Sequence, residues 1–155
     1  MFPRSTPSEL NDLMHIEFAS FKKEDCFTYD RLRYFIKRTT NGKMHSIYFE
    51  GKMVGYFIIK FYKFHLRIYS IAITAPGKGL GTKAVEFIAA LGVALKKKSI
   101  KVEVRQDNAC AISFWQKNGF KEEGKRLSYY ADGMDAIEMT KDISNARAGK
   151  DSHTV

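Results

Sequence analysis

The sequence predicts an α/β (α+β) domain in which a mixed, twisted central sheet is flanked by about four helices. Three observations carry this. Up to Arg38, apolar residues recur at helical spacing. From Ser46 to Ile73 the pattern changes to β-rich runs separated by short turns. Beyond that, strand-like and helix-like runs alternate, joined by glycine or Asn-Gly, and close in a hairpin. The 155 residues are 45% hydrophobic and 14% aromatic, enough to build a core for one domain over residues 1–143. The polar tail 144–155 is expected to be disordered.

Each element has its own signal. Thr6-Pro7-Ser8-Glu9 reads as a capping box with proline in the first turn, and Leu10, Leu13, Met14 and Glu17-Phe18 follow at helical spacing. A second helix is expected from Thr28 to about Arg38, with Leu32, Phe35 and Ile36 on one face, broken by Asn41-Gly42. Ser46–Glu50 and Lys52–Phe61 flank a hairpin signal, and a further strand covers Leu66–Ile73. Pro76-Gly77-Lys78-Gly79-Leu80-Gly81 is a glycine-rich turn that opens a helix from about Thr82 to Lys97. That helix is apolar on most sides and therefore expected to be largely buried, with Lys96, Lys97 and Lys98 complementing its C-terminus. Ile100–Arg105 is a short strand. Asp107 is expected to cap the next helix, through Ala111, Ile112, Phe114 and Trp115, which stops at Asn118-Gly119. A strand from Phe120 to about Tyr130 turns at Ala131-Asp132-Gly133 into a last strand, Met134–Ile143.

The charge balance narrows the partners. Against 17 acidic residues stand 26 basic ones, a net +9, which suits a nucleotide cofactor, an acidic peptide or an RNA-rich assembly, or serves solubility alone. The cations form no arginine-rich block, so direct nucleic-acid binding is not expected. The longest apolar run, Phe87–Leu95, is too short to span a bilayer, and no signal peptide precedes the first polar segment, so a soluble, cytoplasmic chain is expected. Cys26 and Cys110 read as small buried hydrophobes, and no residues are spaced for a metal site.

Two segments carry chemical signals. Strand, glycine-rich turn and helix succeed each other from Ile68 to Thr82. Unpaired amides and the positive end of the helix dipole suit a pyrophosphate, and glycines let the backbone approach it. An ordinary strand-to-helix turn uses glycine in the same way, and the string matches neither a Walker loop nor the dinucleotide fingerprint. The second segment runs Val102-Glu103-Val104-Arg105-Gln106-Asp107-Asn108. If Val102 and Val104 face the core, Glu103 and Arg105 share the other face, either as a surface ion pair or as an acid placed for work.

Together these segments resemble the GCN5-related N-acetyltransferase (GNAT) superfamily over nearly the whole chain. Ser70-Ile71-Ala72-Ile73 with Gly77-Lys78-Gly79-Leu80-Gly81 looks like its strand and pyrophosphate loop. Asn108, Ala111-Ile112 and Asn118-Gly119-Phe120 look like the helix that follows. Val102-Glu103-Val104-Arg105 and Tyr129-Tyr130-Ala131-Asp132-Gly133-Met134-Asp135-Ala136 are similar to ribosomal-protein alanine N-acetyltransferases.

The resemblance implies acetyl-CoA as co-substrate, entering where Leu66–Ile73 and Ile100–Arg105 splay apart. Ile71 and Ile73 amides would pair with the pantetheine arm, amides from Gly77, Lys78, Gly79, Leu80, Gly81 and Thr82 would hold the pyrophosphate, and Asn108 would bind the pantetheine or an ordered water. A primary amine, either a protein N-terminal α-amine or a small-molecule amine, would attack the thioester directly in a ternary complex. An amide near Ala72 would hold the oxyanion. Glu103 would be the base, and Tyr129 or Tyr130 would supply a proton, with Tyr130 the candidate catalytic residue. The acceptor would enter between the Phe21–Phe35 region and Tyr129-Tyr130. The protein would be a monomer or homodimer.

Two departures weaken the match. Pro76 stands where a side-chain donor is usual, in a loop about two residues short. Trp115 stands where a tyrosine proton donor is expected, and is assigned instead to packing on the cofactor arm. A non-catalytic module that binds acyl-CoA or a partner is the rival reading.

Overall fold

A computed structural model describes residues 1–145. Among them are four α-helices and six strands: α1 Leu10–Ser20, α2 Tyr29–Lys37, β1 Gly42–Phe49, β2 Lys52–Phe61, β3 His65–Ile73, α3 Leu80–Ala94, β4 Ser99–Arg105, α4 Ala109–Lys117, β5 Lys121–Arg126 and β6 Ala136–Asp142. The sheet is mixed, in the order β1-β2-β3-β4-β6-β5. The fold is therefore the α/β class that the alternation of periods predicts. Chain contacts gather into two compact units, Met1–Lys60 with Ile68–Ala84, and Phe61–Arg67 with Val85 onward.

In the first unit the predicted start signals operate. The Thr6 amide donates to Glu9 Oε1 at 2.7 Å, the return arm of the capping box. Pro7–Glu9 forms a single 3₁₀ turn that leads into α1. Leu10, Leu13 and Ile16 are buried, whereas Phe18, expected on the same stripe, is 61% exposed. The stripe continues through Glu17, a buried carboxylate that accepts from the Tyr56 hydroxyl and from the Phe27 amide at 3.1 Å. Thr28 Oγ1 accepts from the Arg31 amide at 3.2 Å and caps α2. Leu32 and Phe35 of α2 join Leu10, Leu13, Met44, Tyr56 and Ile58 in one core cluster.

β1 starts at Gly42, four residues before the expected strand. The chain's first residues pair beside it: Ser5 N–H donates to Met44 C=O and Ser46 N–H to Pro3 C=O, both at 2.9 Å. Those bonds cover backbone that an edge strand would leave open. β1 and β2 pair antiparallel around Glu50-Gly51, with a register shift between Ile47 and Tyr48. Near that bulge, Gly55 lies against β3, where an added Cβ would sit 2.3 Å from the Ala72 carbonyl oxygen. No larger residue fits there without moving the strand.

From α3 onward the chain differs from expectation in several places. α3 begins at Leu80, not Thr82, and ends at Ala94. It buries Leu80, Ala84, Val85 and Ile88 but leaves Lys83, Glu86, Phe87 and Ala90 exposed. The all-round apolar look came from alanines, which stand in water at little cost, so only one face of the helix is core. No basic residue lies in its last turn. Lys97 instead donates from Nζ to the Tyr62 and Lys63 carbonyls at 2.6 and 3.3 Å.

β4 keeps the predicted alternation, with Ile100, Val102 and Val104 buried. It pairs antiparallel with β6, placing Val102 opposite Met139 and Glu103 opposite Glu138. The cap of α4 is Asn108, whose Oδ1 accepts from the Ala111 amide at 3.0 Å, not Asp107, which turns back to Arg105. β5 stops at Arg126, so Tyr129 and Tyr130 lie in a loop and neither is a strand position. β6 opens at Ala136 rather than Met134, because the Asp132 carboxylate accepts from the Met134 amide and holds those residues in the turn. Neither cysteine is buried: Cys26 is partly exposed and Cys110 exposed, both as free thiols. In the predicted tail, Ser144 donates from its amide to Asp142 Oδ1 at 2.8 Å, and the remainder from 146 lies outside the described residues.

Candidate active site

The glycine loop of the first unit has the backbone that anion binding requires. β3 ends at Ile73, where Ala72 is buried and Ile71 and Ile73 are half-buried. Thr74 anchors the exit, its amide donating to the Val54 carbonyl at 2.8 Å. Gly77 and Gly79 both hold positive φ, 77° and 69°, and a Cβ on either would meet nothing within 4 Å. These glycines are required by backbone angle, and the space outside them is open. The first helical bond of α3 runs from the Lys83 amide to the Gly79 carbonyl at 3.1 Å. The amides of Leu80, Gly81 and Thr82 thus precede the helical ladder. Pro76 has no N–H, so any phosphate held here meets the amides after it and the exposed Lys78 and Lys83.

The acid segment of the second unit is an ion-pair cluster. Glu103 and Arg105 do share one face of β4, but they do not pair with each other. Glu103 Oε2 accepts from Arg67 Nε at 2.8 Å, with side-chain exposures of 9% and 15%. Glu103 Oε1 has Arg126 Nη2 at 3.8 Å. Arg67 Nη2 also donates to the Tyr129 hydroxyl at 2.8 Å. Arg126 is engaged through Nε with Glu138 Oε1 at 2.6 Å. Although burial opposes its charge, Arg67 is held above its ordinary pKa by Glu103 and Tyr129.

Arg105 ties down the loop. It reaches Asp132 Oδ2 at 2.6 Å and Asp107 Oδ1 at 3.1 Å, which together keep it charged, Asp132 first. Its guanidinium lies 4.8 Å from the centre of the Tyr130 ring, and the Tyr129 and Tyr130 rings meet edge to face at 5.0 Å. The Tyr130 amide donates to the Met134 carbonyl. Tyr129, not Tyr130, therefore shares a guanidinium with Glu103.

Asn108 caps α4, and Trp115 sits on it. The cap bond uses Asn108 Oδ1, which leaves that residue its amide nitrogen to donate. Trp115 is 4% exposed, meeting Phe114 and Phe120 edge-on at 5.0 and 4.9 Å. Arg67 and Arg126 are the residues that the sequence pattern missed. Arg67 does fall in the alternation of β3, opposite in phase to buried Leu66 and Ile68, but nothing in the sequence marks its pairing with a strand more than thirty residues on. Among the described residues no three His, Cys, Asp or Glu side chains are grouped to hold a metal. No described helix is long and apolar enough to cross a membrane.

Strand, glycine loop and helix N-terminus succeed one another within a mixed six-stranded sheet flanked by helices, an α/β fold with a loop suited to a phosphate. The chain belongs to the acetyltransferase (GNAT) family, whose sequence profile matches residues 10–120. It is 29% identical over 113 residues to the catalytic subunit of the N-terminal acetyltransferase A complex of Arabidopsis thaliana, covering 68% of this chain and 57% of that protein. It is 30% identical over 110 residues to an uncharacterized N-acetyltransferase of Methanocaldococcus jannaschii, covering 63% and 65%. The chain thus spans under two thirds of the length of these curated relatives. In fold it is similar to the ribosomal-protein alanine N-acetyltransferase of Escherichia coli, with a TM-score of 0.80, 23% identity and coverage of 93% and 94%. It is also similar in fold to a spermidine/spermine N-acetyltransferase of Vibrio cholerae, with a TM-score of 0.74, 16% identity and coverage of 94% of both chains.

Proposed function

We propose that this protein transfers the acetyl group of acetyl-CoA to a primary amine, and that the amine is the N-terminal α-amine of a protein or peptide. The observation that carries the transferase reading is the glycine loop. Its positive-φ glycines, open space and pre-ladder amides fit a pyrophosphate, which is the part of acetyl-CoA that a backbone can hold without side chains. Bound there, acetyl-CoA supplies an activated acyl thioester. The chain's own residues do the rest. Gly77 to Thr82 hold the phosphates, Ile71, Ala72 and Ile73 offer main-chain groups to the pantetheine arm, and the Asn108 amide nitrogen adds a donor. Trp115, with Phe114 and Phe120, gives a stiff apolar wall. Glu103 takes the proton of the acceptor ammonium through water, and the tyrosine loop orients the acceptor, with Tyr129 and Tyr130 as its hydroxyls.

Acid-base chemistry supports the α-amine. An α-amine of pKa about 7.7–8.0 is roughly one tenth neutral at pH 7, whereas lysine near 10.4 is neutral less than about 0.1% of the time. A carboxylate is by nature a weak base, matched to the first and not to the second. The name of the Arabidopsis relative points to an N-terminal acceptor; a small-molecule amine is the competing reading. The same proposal takes residues 1–143 as one domain working in the cytoplasm as a monomer or homodimer, which two free thiols suit. A thiol-release assay with acetyl-CoA and a panel of peptides, amino acids and polyamines tests it. Release with peptides is expected, release confined to polyamines would replace the acceptor, and no release with any amine would leave a binding module.

A further inference from the structure

Glu103 has two carboxylate oxygens in different situations, and one side chain causes the difference. Arg67 donates from Nε to Oε2 at 2.8 Å and from Nη2 to the Tyr129 hydroxyl at 2.8 Å. Oε1 has only Arg126 Nη2 near it, at 3.8 Å, beyond hydrogen-bond distance. Arg126 is itself occupied by Glu138. The guanidinium of Arg67 is planar with its donors in fixed directions, so its bonds to Glu103 and Tyr129 set both in one plane, and Tyr62 also bonds to Arg67. Lysine, a single ammonium on a flexible stem, has no such fork.

We propose that Arg67 is a positioning residue of the acetyl transfer: it locks Glu103 Oε2, leaves Oε1 as the proton-accepting atom, and couples that carboxylate to the acceptor loop through Tyr129. This rests on the reading of Glu103 as the base. A first proton leaves the acceptor ammonium and reaches Oε1 through water, and the neutral amine attacks the thioester carbon with the freed electron pair. The C–N bond forms and the C–S bond breaks, the CoA sulfur leaving with that bond's electron pair and taking the second proton that the nitrogen loses. Arg67 gains and loses nothing; its Nε–H holds Oε2 in place throughout.

The groups facing Glu103 are Arg67 and His65 on β3, Arg126 on β5, Glu138 opposite it on β6, Tyr129 in the loop, and Lys101 on its own strand. His65 is held below its ordinary pKa, by burial first and then by Lys101, Arg67 and Lys97, so it stays neutral near pH 7. Without Arg67, Glu103 Oε2 loses its hydrogen-bonded cation, and a carboxylate that loses such a partner is in general protonated more readily.

The test is the slope of log kcat/KM against pH in the full-length protein with a peptide acceptor, between about pH 5.5 and 7. In the wild type the rate is expected to rise tenfold per pH unit, as the neutral acceptor amine accumulates. Arg67→Gln is expected to steepen the slope toward a hundredfold per unit at the acid end, and to lower kcat by about tenfold even at pH 8. Arg67→Lys, which keeps the charge, is expected to restore the single slope. It cannot serve both partners, so Tyr129→Phe is expected to add little further loss on the Arg67→Lys background.

A curve lowered in parallel by Arg67→Gln, with unchanged slope, would overturn the inference. If Arg67→Gln does not fold by circular dichroism, full additivity of Arg67→Lys and Tyr129→Phe would overturn it instead. Glu103→Gln separates the two levels. If it leaves the rate intact, the base reading fails. If it lowers the rate while the Arg67 variants behave as structural changes, only the positioning role fails.

Discussion

Gly79 offers a clean separation of shape from charge in the cofactor loop. Its φ is +69°, and no atom lies within 4 Å of the position that a Cβ would take. Any side chain there carries the backbone cost of the left-handed region, about 1–2 kcal/mol, without a steric clash inside the protein. Gly79→Gln and Gly79→Glu share that cost and nearly the same volume, so their difference is charge alone. At about 6 Å from a phosphate charge, a carboxylate is repelled by about 0.7 kcal/mol in a water-like dielectric and about 2.8 kcal/mol at the effective dielectric of a protein surface. Acetyl-CoA should therefore bind Gly79→Glu about 3- to 100-fold more weakly than Gly79→Gln, and the gap should shrink in high salt. Titration calorimetry on both variants, with circular dichroism to confirm folding, measures it. Equal affinities for the two, or affinities unchanged from the wild type, would move the phosphates away from this loop.

Three further outcomes follow from the geometry. Glu103→Gln is expected to lower kcat by about 10²-fold near pH 7, with partial recovery at higher pH as free amine accumulates; an unchanged pH–rate profile would remove Glu103 from the proton path. Trp115→Phe is expected to lower stability by about 1–2 kcal/mol, since the ring is buried against Phe114 and Phe120, and to raise the acetyl-CoA KM with kcat nearly constant. A fall in kcat at constant KM would contradict that wall role. Glu17 is raised above its ordinary pKa by burial, with the bonds from Tyr56 and Phe27 opposing the shift. The folded state therefore binds its proton more tightly than the unfolded state, and stability should fall as pH rises from about 4.5 through the raised value and then level off. Chemical denaturation across that window should show the decline in the wild type and lose it in Glu17→Gln.

Much of the fold was legible because its signals are local. Thr6 with Glu9, Thr28 with Arg31, and Asn118-Gly119 are contacts within a turn of chain, and each formed where the residue types placed it. The valines of β4 announced their own alternation. Misreadings had several causes, some distant and some local. β1 extends back to Gly42 because residues near the N-terminus pair with it. α3 looked buried all round because alanine is apolar in composition yet neutral in water. Asp107 lost the cap of α4 to Asn108 because Arg105 claimed it. The Tyr129-Tyr130 pair read as strand because tyrosine favours strands, but Arg105 and Asp132 hold it in a loop. In the site, the glycine loop was visible as a string, while the partner of Glu103 was not. Arg67 lies 36 residues away, and only strand placement brings the two together.

The central claim is acetyl transfer to an α-amine, and intact-mass analysis tests it most directly. The wild-type protein and its Glu103→Gln variant would be incubated with acetyl-CoA and three acceptors. These are a peptide with a free N-terminus and an internal lysine, the same peptide with a blocked N-terminus, and a polyamine. The account predicts one acetyl mass increment on the free peptide, located at its N-terminus by fragmentation, none on the blocked peptide, and far slower transfer by the variant. An increment on the blocked peptide or on the polyamine, with the free N-terminus left unmodified, would contradict it.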